Sequence, residues 1–364
     1  MSIHNRLFLS IMLIGLAGSG HSLGYSGNEP VEIILRTEVQ VDLFFHCLAH
    51  LDIGQDASSL YSETYVHRIS REKNQQGLDP AWLTGEMAKI RDIYVCDQKL
   101  RMVNFIPFLF KSVDQLLAGL EWLSTNLEGN SPQELLPYFK QEFSSSPDSR
   151  RFLRSFAGIL EAEHLNFYLR YWEHQQGRLG ALKARFRSLW EEAGIKLMRP
   201  VMEEKQGVVV YLCLSMTRNG RGFAMGKYFG AAVKFPEKED EIMESFWMSI
   251  HEITHLFLDK WTLHQHENPN ATSSTLSGDE GYDVHLFKER AVLYADYLLC
   301  RTIVPALLPD YLQLFLELLG EEKRADLASL PRAELEKLFK ARVPLPEKTV
   351  QMLETFIYGF LNSR

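Results

Sequence analysis

Five residues in the second half of the chain have the types and the spacing of a hydrolytic zinc site, His251-Glu252-Ile253-Thr254-His255. In an α-helix, residues i and i+4 lie one above the other on the same face. His251 and His255 can therefore bind one metal ion together. Glu252 follows the first histidine and leans toward the open side of such an ion, where it could act as a general base. The motif predicts two metal ligands and one base.

The sequence around the motif predicts a buried amphipathic helix. Apolar residues recur at helical spacing before it, at positions 242, 243, 246, 247 and 250, and continue after it at 256–258. Acidic residues at 240 and 241 suit the N-terminal end of a helix dipole. Burying two histidines and a glutamate without partners costs free energy, so a bound metal is expected. Because the motif is short, an accidental occurrence with no metal remains the alternative.

A catalytic zinc ion needs a third protein ligand and one open coordination position. Leu258 and Trp261 stand where a metzincin has a glycine and a third histidine, which excludes that arrangement. A helix is predicted at 287–299, after a polar loop, and Glu289 near its start is the preferred third ligand. Asp296 lies seven residues later, two turns along the same face. Three other acids remain candidates for the third ligand: Asp279, Glu280 and Asp283.

In these features the chain resembles the gluzincin branch of the zincin metallopeptidases, over about residues 207–300. The resemblance implies a zincin-like core, a bound Zn²⁺ and hydrolysis of a peptide or protein substrate. It assigns four roles: zinc ligands His251, His255 and Glu289, and general base Glu252. It also implies that Asp296 orients a ligand histidine. The family usually places this aspartate one helical turn after the glutamate, whereas here the spacing is two turns.

Two further features of a peptidase site are expected near this helix. Extended runs at 207–216 and 228–235, separated by turn residues at 218–222, predict a small two-stranded β-ribbon or sheet. In zincins an edge strand here pairs with an extended substrate, although the ribbon could also simply cover the helix. Hydrolysis also needs a hydrogen-bond donor for the developing oxyanion. Candidates for this donor, or for support of the ligands, are Tyr282, His285 and Tyr294.

Composition limits the other possibilities. The 364 residues are 46% hydrophobic, enough for a sizeable core, and the net charge of -8 argues against a nucleic-acid partner. Four widely spaced cysteines lack a C-x-x-C pair, which excludes a cysteine zinc site, and no disulfide pairing is selected: Cys47, Cys96, Cys213 and Cys300. His46 and His50 also stand at i and i+4, but apolar neighbours and the lack of an acid between them favour packing over metal binding.

The N-terminus and the distribution of helices predict the organisation of the chain. A short positive start, an apolar run at 7–17 and small residues after it predict a signal peptide at 1–24. The protein is then secreted or periplasmic, with no membrane span after cleavage. Beyond it we predict a mainly helical region at 25–200, a zincin-like core at 201–304 and a helical C-terminal bundle at 305–364. The fold class is α+β with helices dominant.

Two functions from different classes fit these observations. The first is zinc-dependent hydrolysis of peptide bonds by an activated water, with Glu252 as the general base. The second is a noncatalytic secreted helical binding protein that has a zincin-like core and a structural metal. The intact base favours the enzyme, because a purely structural site has no use for a carboxylate beside an open coordination position.

Overall fold

The computed structural model describes most of the chain, in these ranges: 33–51, 61, 63–125, 131–144, 146–199, 207–217, 219–225, 228–265, 278–320 and 324–362. The described part of the chain is predominantly helical, with 76% of its residues in helices and a small sheet of four strands. The predicted class, α+β with helices dominant, is confirmed at this level. The predicted signal peptide lies outside the described residues, and none of the described helices is both long and apolar enough to cross a bilayer.

Nine α-helices fill the first half of the described chain. They are α1 Val39–Ala49, α2 Glu63–Gln75, α3 Trp82–Cys96, α4 Val113–Ser124, α5 Leu136–Ser144, α6 Pro147–Glu163, α7 Leu169–Arg178, α8 Gly180–Leu189 and α9 Ile195–Met198. Local signals explain several of the starts. The Ser112 side chain accepts a hydrogen bond from the Gln115 amide at the start of α4. Ser146 caps α6 in the same way, with Pro147 in the first turn, where its missing N–H costs nothing.

The four strands are β1 Ile33–Arg36, β2 Val208–Cys213, β3 Arg221–Met225 and β4 Tyr228–Lys234, in the spatial order β1-β2-β4-β3. β2 is parallel to both β1 and β4, whereas β3 pairs antiparallel with β4. The expected small sheet before the motif helix is present, but its two predicted strands are not joined as a two-stranded ribbon. The residues taken as its turn begin β3, which forms the edge of the sheet, and β2 and β4 are neighbours that run in the same direction.

Six helices follow the sheet: α10 Ile242–Gln265, α11 Gly278–Ile303, α12 Leu308–Leu319, α13 Arg324–Leu327, α14 Arg332–Arg342 and α15 Glu347–Asn362. α10 carries the H-E-x-x-H motif, and α11 begins nine residues earlier than predicted. α10 packs against β3 and β4 on one side and against α11 on the other. α12 and α15 pack against α11, and α12 also contacts α10. The C-terminal helices therefore cover the pair formed by α10 and α11.

A continuous hydrophobic core joins the N-terminal helices to the sheet and to α10. The ring of Trp190 meets that of Phe246 edge to face, with centroids 6.0 Å apart. Phe108 stacks on Phe223 of β3 with centroids 3.9 Å apart. β1 also belongs to the same sheet as the strands before α10. The boundary predicted at residue 200 falls next to residues 200–206, which lie outside the described ranges, and the division into domains stays a prediction.

Candidate metal centre

Three predicted ligands meet between α10 and α11. His251 and His255 lie one turn apart on α10, and Glu289 reaches them from α11. All three side chains are buried, with at most 2% of each residue exposed. Within the described residues, these three side chains form the one group of histidine, cysteine or acidic residues that is close enough to hold a metal ion.

The distances between the donor atoms of the three side chains are close to those around a tetrahedral metal ion. The Nε2 atoms of His251 and His255 are 3.2 Å apart. Glu289 Oε1 lies 3.3 Å from His255 Nε2, and Glu289 Oε2 lies 3.4 Å from His251 Nε2. Ligands at about 2.0 to 2.1 Å from a tetrahedral zinc ion are separated by roughly 3.3 Å. Each histidine thus lies near a different oxygen of Glu289, and one ligand atom from each of the three residues lies within 4.8 Å of the other two.

Asp296 contacts the first histidine. Its Oδ2 atom lies 3.2 Å from His251 Nδ1, and its Oδ1 atom lies 2.6 Å from the Thr254 hydroxyl. A proton on Nδ1 that points at the carboxylate leaves the Nε2 lone pair of His251 for a metal, the arrangement usual for metal-binding histidines. The two-turn spacing from Glu289 therefore does not prevent this role, because Glu289 and Asp296 reach the two sides of the same imidazole.

The charges of the cluster favour cation binding. Burial lowers the pKa of His251, but Asp296 and Glu289 outweigh it and raise the pKa to about 9. Burial raises the pKa of Glu289, yet the two histidines hold it well below its usual range. Two carboxylates thus converge on a pair of imidazoles in a site with almost no solvent contact, where electrostatic interactions are strong.

The predicted base, Glu252, is fully buried beside the cluster. Its Oε2 accepts a hydrogen bond from the Gly222 amide of β3 at 2.6 Å. Its Oε1 has no hydrogen-bond partner among the residues that the structure describes. Burial raises the pKa of Glu252, while His255, His251 and the Gly222 amide oppose this rise. One oxygen is therefore held in place and the other needs a water or a substrate group, because a buried acceptor without a partner is costly.

Two glycines of the chain segment at β3 allow its backbone to approach the base. A Cβ at Gly220 would lie 2.5 Å from Glu252 Cγ, and a Cβ at Gly222 would lie 2.9 Å from the Glu252 carbonyl oxygen. No other residue fits either position without displacing the carboxylate or the strand. The sequence predicts a turn at these glycines, whereas Gly222 lies in β3 and Gly220 directly before it. The signal that could have found them is the alternation Gly-Arg-Gly before Phe223, which places both glycines on one face of an extended segment.

Of the remaining candidates, Tyr294 has a described side chain and five others do not. Tyr294 packs beside Tyr297, and its pKa is raised by burial and by the neighbouring Glu354 and Tyr358 of α15. No contact between Tyr294 and the three ligands is seen in the described part of the chain. Tyr282 and His285 lie on α11 with side chains outside the description, as do three rival ligands: Asp279, Glu280 and Asp283.

The second histidine pair has partners of its own. His46 is buried between the Tyr65 hydroxyl at 2.8 Å from Nδ1 and Glu163 Oε1 at 2.9 Å from Nε2. His50 Nδ1 lies 2.9 Å from the Thr84 hydroxyl. Both ring nitrogens of His46 are thus engaged by protein groups in the core, in agreement with the expectation that this pair packs. The four cysteines are free thiols, of which Cys96 is exposed.

Comparisons with known proteins add no assignment. No family model, no curated protein and no solved structure matches the chain significantly. The site must therefore be interpreted from its own geometry.

Proposed function

We propose that the chain is a zinc-dependent hydrolase of peptide bonds with a gluzincin-like site. The observation that carries the proposal is the cluster of three buried ligand side chains beside the carboxylate of Glu252, which has one oxygen engaged. A structural zinc site is normally closed by four protein ligands, whereas a catalytic one has three and an open position. Three ligand residues in the described part of the chain, with a base next to them, favour the second kind.

The residues of the chain divide the chemistry between them. A zinc ion held by His251, His255 and Glu289 would polarise the scissile carbonyl and lower the pKa of a water. Glu252 Oε1 would take a proton from that water as it attacks the carbonyl carbon. The same oxygen would then pass the proton to the nitrogen of the leaving amine as the C–N bond breaks. The Gly222 amide would keep Oε2 in place during both transfers.

The edge strand gives a place for an extended substrate. β3 is the end strand of the sheet order and lies against α10, beside Glu252. Its backbone on the side away from β4 would pair with a peptide, as in recognition by addition of a strand. The proposed substrate is therefore an unfolded peptide or protein segment. A secreted or periplasmic location, from the predicted signal peptide, is part of the same proposal.

Burial favours a second candidate function. The ligands and Glu252 are at most 2% exposed, and the Phe315 ring lies 5.6 Å from that of His251. A metal enclosed in this way could be purely structural, within a noncatalytic binding protein. In that case the Glu252 carboxylate would serve packing and charge balance, and its replacement by an amide of the same shape would change stability rather than a reaction.

Cleavage of a peptide library by the zinc-loaded chain tests the proposal. We expect Glu252→Gln to lower the cleavage rate by about 10²- to 10⁴-fold, because the amide cannot accept a proton, while zinc stays bound. Glu244→Gln is the matched control, since Glu244 is a buried acid on the same helix but contacts Lys234 instead. A parent chain that holds zinc and cleaves nothing would support the structural alternative. Equal rates in the parent and in Glu252→Gln would overturn the assigned base.

A further inference from the structure

Thr254, inside the H-E-x-x-H motif, contacts Asp296, which in turn contacts the first proposed ligand, His251. Its side chain is fully buried on α10, and its hydroxyl oxygen is 2.6 Å from Asp296 Oδ1 on α11. The same oxygen lies 3.0 Å from the carbonyl of Ile250, one turn earlier. A threonine hydroxyl has one proton to donate. The shorter contact is to a carboxylate, and hydrogen bonds to charged acceptors are stronger than those to neutral ones. We therefore expect the Thr254 hydroxyl to donate its hydrogen bond to Asp296.

The other oxygen of Asp296 faces His251. Asp296 Oδ2 is 3.2 Å from His251 Nδ1, and only 1% of Asp296 is exposed. The carboxylate is thus held at both ends, by Thr254 at Oδ1 and by His251 at Oδ2. Without the hydroxyl, Oδ1 would be buried with no donor at that position, and the carboxylate would be free to rotate. Rotation would weaken its hold on the ring of His251.

We propose that Thr254 is a positioning residue for the metal centre, which sets the affinity for zinc by locking Asp296 against His251. The inference rests on the proposed zinc site and deepens it. The hydroxyl fixes the carboxylate, the carboxylate fixes the tautomer and the orientation of His251, and Nε2 of His251 faces the other two donors. The contact also links α10 to α11 next to the first ligand, so the distance between the ligand pair and Glu289 depends on it.

The test compares zinc affinities, measured by competition with a chelating dye, in variants that remove or keep the hydroxyl. Thr254→Val keeps the shape of the side chain, and Thr254→Ala guards against a packing effect of the valine. We expect both to bind zinc about 10- to 100-fold more weakly, the usual cost of losing a group that supports a metal-binding histidine. Thr254→Ser keeps a hydroxyl on the same carbon and should restore most of the affinity.

Ser249→Ala is the matched control. Ser249 is a buried hydroxyl on the same helix that donates to the Ser245 carbonyl at 2.7 Å and has no part in the cluster. Its removal should leave the affinity for zinc unchanged. A double-mutant cycle with Asp296→Asn separates action through Asp296 from a general loss of packing. In the Asp296→Asn background, Thr254→Val should cause little additional loss.

The outcomes separate this inference from the proposed function. Equal zinc affinity in the parent, Thr254→Val and Thr254→Ala would overturn the role of Thr254 and leave the zinc site intact. Equal losses in Ser249→Ala, or fully additive losses in the cycle, would also overturn it, because they would indicate a packing effect. A parent chain that binds no zinc would overturn the proposed function itself, and the inference with it. The melting temperatures of the metal-free variants show whether each one is folded.

Discussion

At the residue scale, the site divides into side chains that sequence spacing could identify and groups that it could not. Helical spacing within one motif predicted the two histidines and Glu252, and a second helical pattern predicted Glu289. Asp296 was expected on the same helix face and lies beside His251. Gly222 was missed because its contribution is a backbone amide that reaches Glu252 from a distant strand. A motif specifies side chains, whereas a backbone donor depends on how two elements pack.

A single methyl group at Gly220 should displace the base without disturbing the metal. The added Cβ would lie 2.5 Å from Glu252 Cγ, so the carboxylate has to move. A misplacement of about 1 Å can cost 10²-fold in rate, and we expect Gly220→Ala to lose activity on this scale. Zinc content, measured on the same sample, should stay that of the parent.

Gly119→Ala is the control for a general loss of packing. Its Cβ would overlap the ring of Phe110, beside α4 and away from Glu252 and β3. It should lower the melting temperature, and its remaining folded fraction should cleave peptide at the parent rate. Full activity in Gly220→Ala would contradict the placement of Glu252 against this glycine.

At the scale of elements, strand pairing was the part that the sequence did not reveal. Runs of β-branched and aromatic residues predicted β2 and β4, but not their parallel pairing or the pairing of β2 with β1, which lies about 170 residues earlier in the chain. Such register depends on long-range contacts that no local pattern encodes. α2 lies in the region predicted as helical, although most of its residues are polar and only three are buried: Tyr65, Ile69 and Lys73. Its short apolar face gives a weak periodic signal.

The proposed pairing of substrate with β3 predicts an alternating pattern in backbone-methylated peptides. In a two-stranded antiparallel or parallel ladder, every second amide faces the neighbouring strand. Methylation of those amides should lower kcat/KM by about 10-fold each, the value of one hydrogen bond. Methylation of the amides between them should have little effect. A scan of single methylations along one cleaved peptide measures this, and an effect without a period of two would contradict the pairing.

At the scale of the whole molecule, buried polar contacts join the N-terminal helices to the sheet. Asp42 of α1 is fully buried, and its Oδ1 accepts a hydrogen bond from the Leu214 amide just after β2 at 2.8 Å. Glu163 accepts from Lys73 at 2.7 Å and contacts His46, all within the helical region. The sequence predicted a helical region there, and its attachment to the sheet was not predictable, because a lone aspartate in an apolar helix has no local signature of its partner.

The burial of Asp42 predicts a loss of stability as the pH rises. Burial raises the pKa of Asp42 to about 7, although the Leu214 amide and the polar groups of Tyr168 and Trp172 act to lower it. The folded state therefore keeps a proton that the unfolded chain releases near pH 4. The protonated Asp42 thus contributes a few kcal/mol to the free energy of unfolding. This contribution is complete below pH 4 and is lost as the pH rises through about 7.

Denaturant unfolding of Asp42→Asn from pH 4 to 8 checks this prediction. The amide keeps the acceptor for Leu214 and does not ionise, so the stability of the variant should fall less over this range than that of the parent. Asp92→Asn is the control, because the Asp92 side chain is 90% exposed and solvated in both states. Parallel pH profiles for the parent and Asp42→Asn would contradict a protonated Asp42 in the folded chain.

In the proposed site, His251, His255 and Glu289 hold one zinc ion beside the base Glu252. The most direct measurement is the zinc content of the purified chain by elemental analysis, together with Glu289→Ala and Glu252→Gln. We predict one zinc per chain in the parent and in Glu252→Gln, and none in Glu289→Ala, because two histidines alone do not complete the site. A parent chain without zinc, or full zinc content in Glu289→Ala, would contradict the account.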